Sequence, residues 1–430
     1  MLMLTKHFYS SLTATAIRAL ITRNTDARHT IQDTVSEIIA DVRQHGDISL
    51  LDLASKFDKV KLEKLYLDKD EIEALANTIT REQQRALEIA FQNIHKFHSS
   101  QLRKERTVET MPGVQCWREV RPIEKVGLYI PGGSAVLPST LLMLGVPARI
   151  AGCKEIVVCS PPQQTGKING FVAYCLQLLK IERIYLAGGA QAVAAMAFGT
   201  ETVPKVDKIF GPGNQFVTKA KSLVQSRTNV SIDMPAGPSE VLVIADDTAT
   251  PAYVAADLLA QAEHGPDSQA VLVATSEAMI DAVNDELAKQ LPVLPRAAIT
   301  EMAIGNSYAV KVADLNEAIA FSNQYAPEHL ILETDSWKSL IPRILNAGSV
   351  FLGHLTPESA GDYASGTNHT LPTSGYARSY SGVSVDSFVK KITFQHISPE
   401  GLTQIGSTVE TLAELEGLHA HKNAISIRKA

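Results

Sequence analysis

Apolar residues recur at helical spacing through the first third of the chain. Val35, Ile38, Ile39 and Val42 fall on one face of a predicted helix, and Gly46 stands where a left-handed residue would stop it. A second helix opens at Thr80-Arg81-Glu82-Gln83, in which the threonine caps and the glutamine reaches back. Leu87, Ala90, Phe91, Ile94 and Phe97 then mark its apolar face. Nothing in this part has the look of catalysis, and it reads as scaffold.

The pattern changes near Val126. Short apolar runs now end in turns and are followed by helical stretches: 126–130 before Pro131-Gly132-Gly133, 155–159 before Ser160-Pro161-Pro162, and 183–187 before Gly188-Gly189. Strands alternating with helices in this way predict βαβ units and a parallel sheet. Another run, 240–245, opens after Pro235-Ala236-Gly237-Pro238, a natural crossing point between domains, and 271–274 and 349–352 read as further buried strands. A second α/β region therefore covers about 240 to 380. Roughly the last fifty residues are polar and helical in pattern, with His419-Ala420-His421-Lys422 close to the end.

Composition narrows the class. The 430 residues are 45% hydrophobic and 20% charged, which excludes disordered, fibrous and disulfide-scaffold proteins and leaves length for two or three folded units. A net charge of −6 with both signs interspersed offers no broad basic field to nucleic acid or anionic lipid, so small-molecule chemistry is expected. Cys116, Cys153, Cys159 and Cys175 form no CxxC pair, and Met1-Leu2-Met3-Leu4-Thr5-Lys6 starts no secretory leader. A reducing cytoplasm is the expected setting, with the cysteines as small buried hydrophobes. The most apolar long stretch, 184–199, is interrupted by Gly188, Gly189 and Gln191 and is too short to span a bilayer.

Candidate chemistry begins at three glycine turns, around Tyr129-Ile130-Pro131-Gly132-Gly133, Gly188-Gly189-Ala190-Gln191 and Gly211-Pro212-Gly213-Asn214. A strand ending in such a turn, with a helix behind it, presents backbone N–H groups to an anionic ligand. None satisfies GxGxxG, because Phe216 takes the third glycine position after Gly211 and Gly213. Each alone is more often just a tight turn; three in one α/β unit raise a nucleotide site to stand beside that reading.

Gln261 and His264 share a face at the end of an apolar helix stopped by Gly265-Pro266, where a lone histidine commonly serves as a cap. Glu328-His329 follows Pro327 at the edge of the run 330–332. The pair suits proton transfer if buried, and is an ordinary charged turn if not. Asp362 lies in a small polar loop, Glu358-Ser359-Ala360-Gly361-Asp362-Tyr363-Ala364-Ser365-Gly366-Thr367-Asn368-His369. With His264 and a tail histidine it makes an N/O donor set of the kind that takes Zn²⁺.

Taken together these strings resemble the histidinol dehydrogenase family. The resemblance rests on Val126-Gly127-Leu128-Tyr129-Ile130-Pro131-Gly132-Gly133, 187–199, 211–219, and Asp233-Met234-Pro235-Ala236-Gly237-Pro238-Ser239-Glu240. It continues through 261–265, Pro327-Glu328-His329-Leu330, 360–369 and Ala420-His421-Lys422-Asn423-Ala424, in order along most of the chain. It implies oxidation of L-histidinol through L-histidinal to L-histidine in histidine biosynthesis, with two NAD⁺ and one Zn²⁺ per site. By the same resemblance Tyr129, Gln191 and Asn214 contact NAD, and Gln261, His264, Asp362 and His421 hold zinc. Glu328 and His329 transfer protons, while Ser239 and Glu416 join the zinc ligands and His329 around the substrate.

The implied fold is an intertwined α/β homodimer with two parallel-sheet, incomplete Rossmann-like cores, a helical N-terminal segment and a C-terminal tail. The implied division is 1–24 as N-terminal segment, 25–125 with 239–380 as main domain, 126–238 as inserted NAD-binding domain, and 381–430 as a helical tail reaching the partner. A zinc-dependent hydrolase or aldolase would leave the glycine turns without a ligand. A non-catalytic metal- or nucleotide-binding protein would have no use for Glu328-His329.

Overall fold

The computed structural model describes residues 3–23, 28–132, 137–235 and 237–429. Its first sheet is built on β5 (Lys125–Tyr129), flanked by β6 (Glu155–Ser160) and β7 (Ile184–Leu186) on one side and β8 (Lys208–Phe210) and β9 (Ser231–Ile232) on the other. These five run parallel, and β2 (Tyr66–Leu67) closes the edge antiparallel to β7. The strands are short and apolar because helices cover both faces. On one lie α3 (Lys69–Ala76), α4 (Arg81–Ser99), α5 (Pro138–Ala151) and α6 (Gly170–Leu178). On the other lie α2 (Arg28–Leu53), α7 (Gly189–Phe198) and α8 (Gln215–Arg227).

The N-terminal helices follow the sequence pattern. Thr80 and Gln83 close the expected capping box on α4, and Ala90 and Ile94 are buried. At Gly46 α2 breaks and then resumes, with φ 55° and ψ −128°; a Cβ there would strike the Glu201 carboxylate. These helices pack on the sheet of residues 125–232, whereas the sequence division placed 25–125 with 239–380. An apolar stripe shows that a helix must be covered, but not by which sheet.

The second sheet is wholly parallel. Its order is β1 (Thr5–Phe8), β12 (Tyr308–Lys311), β11 (Gln269–Ala274), β10 (Glu240–Ala245), β13 (His329–Glu333), β14 (Ser349–Leu352). One face is covered by α9 (Pro251–Ala262), α10 (Glu277–Gln290) and α11 (Ala297–Gly305). The other is covered by α1 (Ala14–Ile21), α12 (Leu315–Tyr325) and α13 (Trp337–Leu340), and α14 (Glu358–Tyr363) follows β14. Among the described residues no helix is long and apolar enough to cross a membrane.

The tail departs from the all-helical expectation. After a short helical turn, Val385–Phe388, comes a nine-residue strand, β15 (Val389–Ile397), paired along its length with β4 (Val114–Pro122), which also pairs with β3 (Val108–Met111). Phe394 stacks on Trp117 across that pair. The polar-apolar alternation Lys391-Ile392-Thr393-Phe394-Gln395 is a strand signal short enough to be lost among the helical residues that follow. Next come α15 (Pro399–Leu415) and α16 (His419–Lys429), tied by Ser426 and Lys429 to Glu410 and by Lys422 to Glu414. Leu412, Leu415, Leu418 and Ile427 remain exposed there.

Candidate active site

The first sheet presents the carboxyl ends of its strands. Tyr129 ends β5, is buried, and its hydroxyl accepts the Gly189 N–H at 3.1 Å; burial pushes the phenol up to about 12. Gly132 and Gly188 both press on Pro161, so a Cβ at either would sit 2.7 or 2.6 Å from its ring. Gly211 has φ 127°, and a side chain there would collide with the Tyr129 carbonyl. The turns after β5, β7 and β8 thus crowd together, as backbone approach to a ligand requires. Gly133, also expected in the first turn, lies outside the described residues. Gln191 is buried in the first turn of α7 and folds back toward Gly189. Asn214 caps α8, its Oδ1 accepting the N–H groups of Phe216 at 3.0 Å and Val217 at 3.2 Å.

The second sheet presents the opposite edge, the amino ends of β10 and β13. After α12, Ala326 adopts a left-handed φ of 54°, turning the chain through Pro327 into β13. Gly348 and Ser349 hold that turn through N–H bonds to the Pro327 and Glu328 carbonyls, each 2.9 Å. Glu328 and His329 are therefore delivered to the interior, only 5% and 3% exposed, which removes the reading of a surface turn.

Glu328 Oε2 accepts the Glu240 N–H at 2.9 Å. His329 Nδ1 lies 3.1 Å from Gln261 Oε1 and 3.3 Å from the Glu240 carbonyl, both acceptors, so this nitrogen carries the proton. Its Nε2 has no hydrogen-bond partner and faces Asp362 Oδ1 at 3.6 Å.

Asp362 stands on α14, not in the expected loop, and Glu358 precedes it by one helical turn on the same face. Ligand atoms of His264, Glu358 and Asp362 lie within 4.8 Å of one another. Gln261 Nε2 and Glu358 Oε2, like His329 Nε2, are buried without a partner. The orphaned Glu358 Oε2, beside the His264 imidazole and the Asp362 carboxylate, is an acceptor that an N/O-coordinated dication would satisfy.

Burial pushes Glu328 and Glu358 each up to about 8. Burial also works to lower His329, but Glu358, Glu328 and Asp362 outweigh it and hold the imidazole well above its ordinary value. Asp362 is held low by the facing His329 against the effect of its own burial. His264 keeps exposed surface at the rim, yet the crowding around its ring is enough for desolvation to lower it.

The two edges meet through His369, whose Nδ1 lies 2.9 Å from the Asp362 carbonyl and whose Nε2 lies 3.3 Å from Thr140 on α5. Ser239 is half-buried directly before Glu240. Glu416 and His421 are exposed on the tail. Among the described residues no hydrogen bond or ion pair joins either to this cluster within one chain. Sequence reasoning missed Glu358 and His369. Glu358 was legible, as a second carboxylate four residues before Asp362; His369 had no signal beyond its polar surroundings.

The cysteines behave as expected. All are free, three are buried, and burial pushes Cys153 up to about 11.

The family model described as histidinol dehydrogenase matches residues 21–429. The chain is 56% identical over 396 residues to a histidinol dehydrogenase of Bacteroides thetaiotaomicron, covering 92% of each protein. It is 51% identical over 424 residues to a chloroplastic histidinol dehydrogenase of Arabidopsis thaliana, covering 97% of this chain and 90% of that one. A crystal structure of histidinol dehydrogenase from Elizabethkingia anophelis superposes with a TM-score of 0.95 at 50% identity, over 99% of this chain and 98% of that one.

Proposed function

The chain belongs to the histidinol dehydrogenase family, and from that premise we propose that it oxidises L-histidinol through L-histidinal to L-histidine, passing two hydrides to two NAD⁺ beside a bound Zn²⁺. The observation that carries this reading is the buried Glu328-His329 pair, with the bare Nε2 of His329 turned toward Asp362.

In the first oxidation His329 Nε2 takes the hydroxyl proton while the carbinol hydride leaves for NAD⁺. Its Nδ1–H is held by Gln261 Oε1 and the Glu240 carbonyl, which fixes the ring for that transfer. In the second, Glu328 takes a proton from the water that adds to the aldehyde, and the hydrated carbon gives its hydride to the second NAD⁺. A carboxylate raised by burial is the stronger base for that task.

Gln261, His264 and Asp362 fit zinc by donor chemistry and by the orphaned atoms around them, with His421 of a second copy as the proposed fourth ligand. Bound there, Zn²⁺ would orient the substrate's nitrogens and offset the carboxylate charge that otherwise holds His329 protonated. Ser239 and Glu416 would complete the substrate's surroundings.

Tyr129, Gln191 and Asn214 would hold NAD⁺ at the turns after β5, β7 and β8. The reversal of strand order between β5 and β8 supports a Rossmann-like reading of this sheet. We assign the nucleotide unit to 126–238 together with the helices of 28–99 that cover its sheet. The exposed leucines of the tail support a homodimer with exchanged tails, and the four free thiols fit a cytoplasmic setting. Mixing protein, NAD⁺ and histidinol should raise NADH absorbance; a protein that hydrolyses esters or only binds NAD⁺ would leave it flat.

A further inference from the structure

The N-terminal segment carries no obvious chemistry, yet it inserts one charged side chain behind the proton-transfer pair. Arg23 follows α1, and its side chain is 12% exposed. Its fork grips Glu240, Nε to Oε2 at 2.7 Å and Nη2 to Oε1 at 2.9 Å. Nη1 donates to the carbonyls of Ile21 at 2.7 Å and Tyr325 at 2.9 Å, and the guanidinium lies 3.6 Å over the Tyr325 ring.

Glu240 is 1% exposed and opens β10. Its side chain faces Arg23 and the Tyr325 hydroxyl, while its main chain faces the active site. Its N–H donates to Glu328 Oε2, and its carbonyl accepts from His329 Nδ1. One residue thus holds both proton-transfer groups, and Arg23 holds that residue.

We propose that Arg23 is a positioning residue: by pairing with Glu240 it fixes the main-chain groups that orient Glu328 and His329, and it neutralises a carboxylate that would otherwise act on Glu328. This rests on the reading of Glu328 and His329 as the proton-transfer pair. The groups facing Glu240 are Arg23, Tyr325 and Tyr308 from one side and Glu328 from the other. Those facing Glu328 are His329, Glu240, Asp362 and Glu358. A buried carboxylate that loses its partner remains as an uncompensated charge, so truncating Arg23 acts at Glu328 through Glu240.

The test uses the zinc-loaded full-length enzyme, with kcat and KM followed across pH. Arg23→Met should lower kcat roughly 10- to 100-fold while KM for histidinol and NAD⁺ stays within about threefold, and the acidic limb of the kcat profile should move to higher pH. Adding Glu240→Gln should return the limb, because the unpaired charge is gone, while kcat stays below wild type because the fork that holds Glu240 is still missing. A folded Arg23→Met enzyme with unchanged kcat and pH profile overturns the inference, as does a limb that stays displaced after Glu240→Gln. If Arg23→Met does not fold, Arg23→Lys keeps the charge and loses the fork. That variant should lose about threefold or more in kcat, and wild-type kcat would overturn the inference. Glu328→Gln separates the two claims. Inactive Glu328→Gln beside unaffected Arg23 variants removes this inference alone, whereas fully active Glu328→Gln removes the proton-transfer reading itself.

Discussion

His329 Nε2 faces Asp362 Oδ1 across 3.6 Å and makes no hydrogen bond among the described residues, while the other ring nitrogen is held between Gln261 Oε1 and the Glu240 carbonyl. The imidazole is therefore fixed in orientation, with its unpartnered nitrogen turned toward the Asp362 carboxylate. Because only the second oxidation needs an activated water, Glu328 and His329 should divide the work unevenly. Glu328→Gln should slow oxidation of supplied histidinal at least about tenfold more than oxidation of histidinol, and His329→Asn should impair both. Single-turnover measurements of each half-reaction decide it; equal losses in the Glu328 variant would remove its link to water.

The donor cluster predicts a metal needed for turnover but not for the core. Chelation should abolish activity while far-UV circular dichroism stays unchanged, since His264 and Asp362 come from distant segments and no cysteine takes part. His264→Asn should lower zinc occupancy. Glu358→Gln should weaken retention by about 10- to 100-fold, the usual effect of losing a neighbour of the ligands. Full turnover in a metal-free sample would contradict this.

Asp257 lies on α9 one turn before Gln261, is 5% exposed, and is pushed up to about 7, mainly by burial and further by Glu333. Its folded-state value lies above the unfolded one, so its neutral form stabilises fully below about pH 4, and that contribution is lost as pH rises through about 7. Asp257→Asn should remove this dependence and stabilise the protein at about pH 8 by roughly 1 to 4 kcal/mol. Thermal melts of the two proteins that run parallel between about pH 4 and pH 8 would contradict it.

If His421 and Glu416 serve the partner's site, two inactive proteins should complement each other. Co-refolding the Glu328→Gln, His329→Asn double variant with His421→Ala puts every defect in one site of the mixed dimer and none in the other. Random pairing makes half the dimers mixed, so roughly a quarter of wild-type activity should return. Subunit exchange without any recovery would place His421 in its own chain's site.

Much of this architecture was legible in the sequence. Strand 240–245 and the Thr80 capping box are where the pattern put them, because each signal is local. The burial of Glu328 and His329 was not legible, since it depends on the Ala326 turn and on β14 lying alongside. Nor was the role of Arg23, which lies 217 residues from the carboxylate it grips. The covering of the first sheet by α2 and α4 was also hidden, because an amphipathic helix does not name its partner.

One site should perform both oxidations on the same substrate. With histidinol limiting and NAD⁺ in excess, NADH formed per histidinol consumed measures it directly. Two NADH per histidinol, with histidine as the product and no free aldehyde trapped by semicarbazide, is the predicted result. One NADH per histidinol with histidinal accumulating in solution would contradict it.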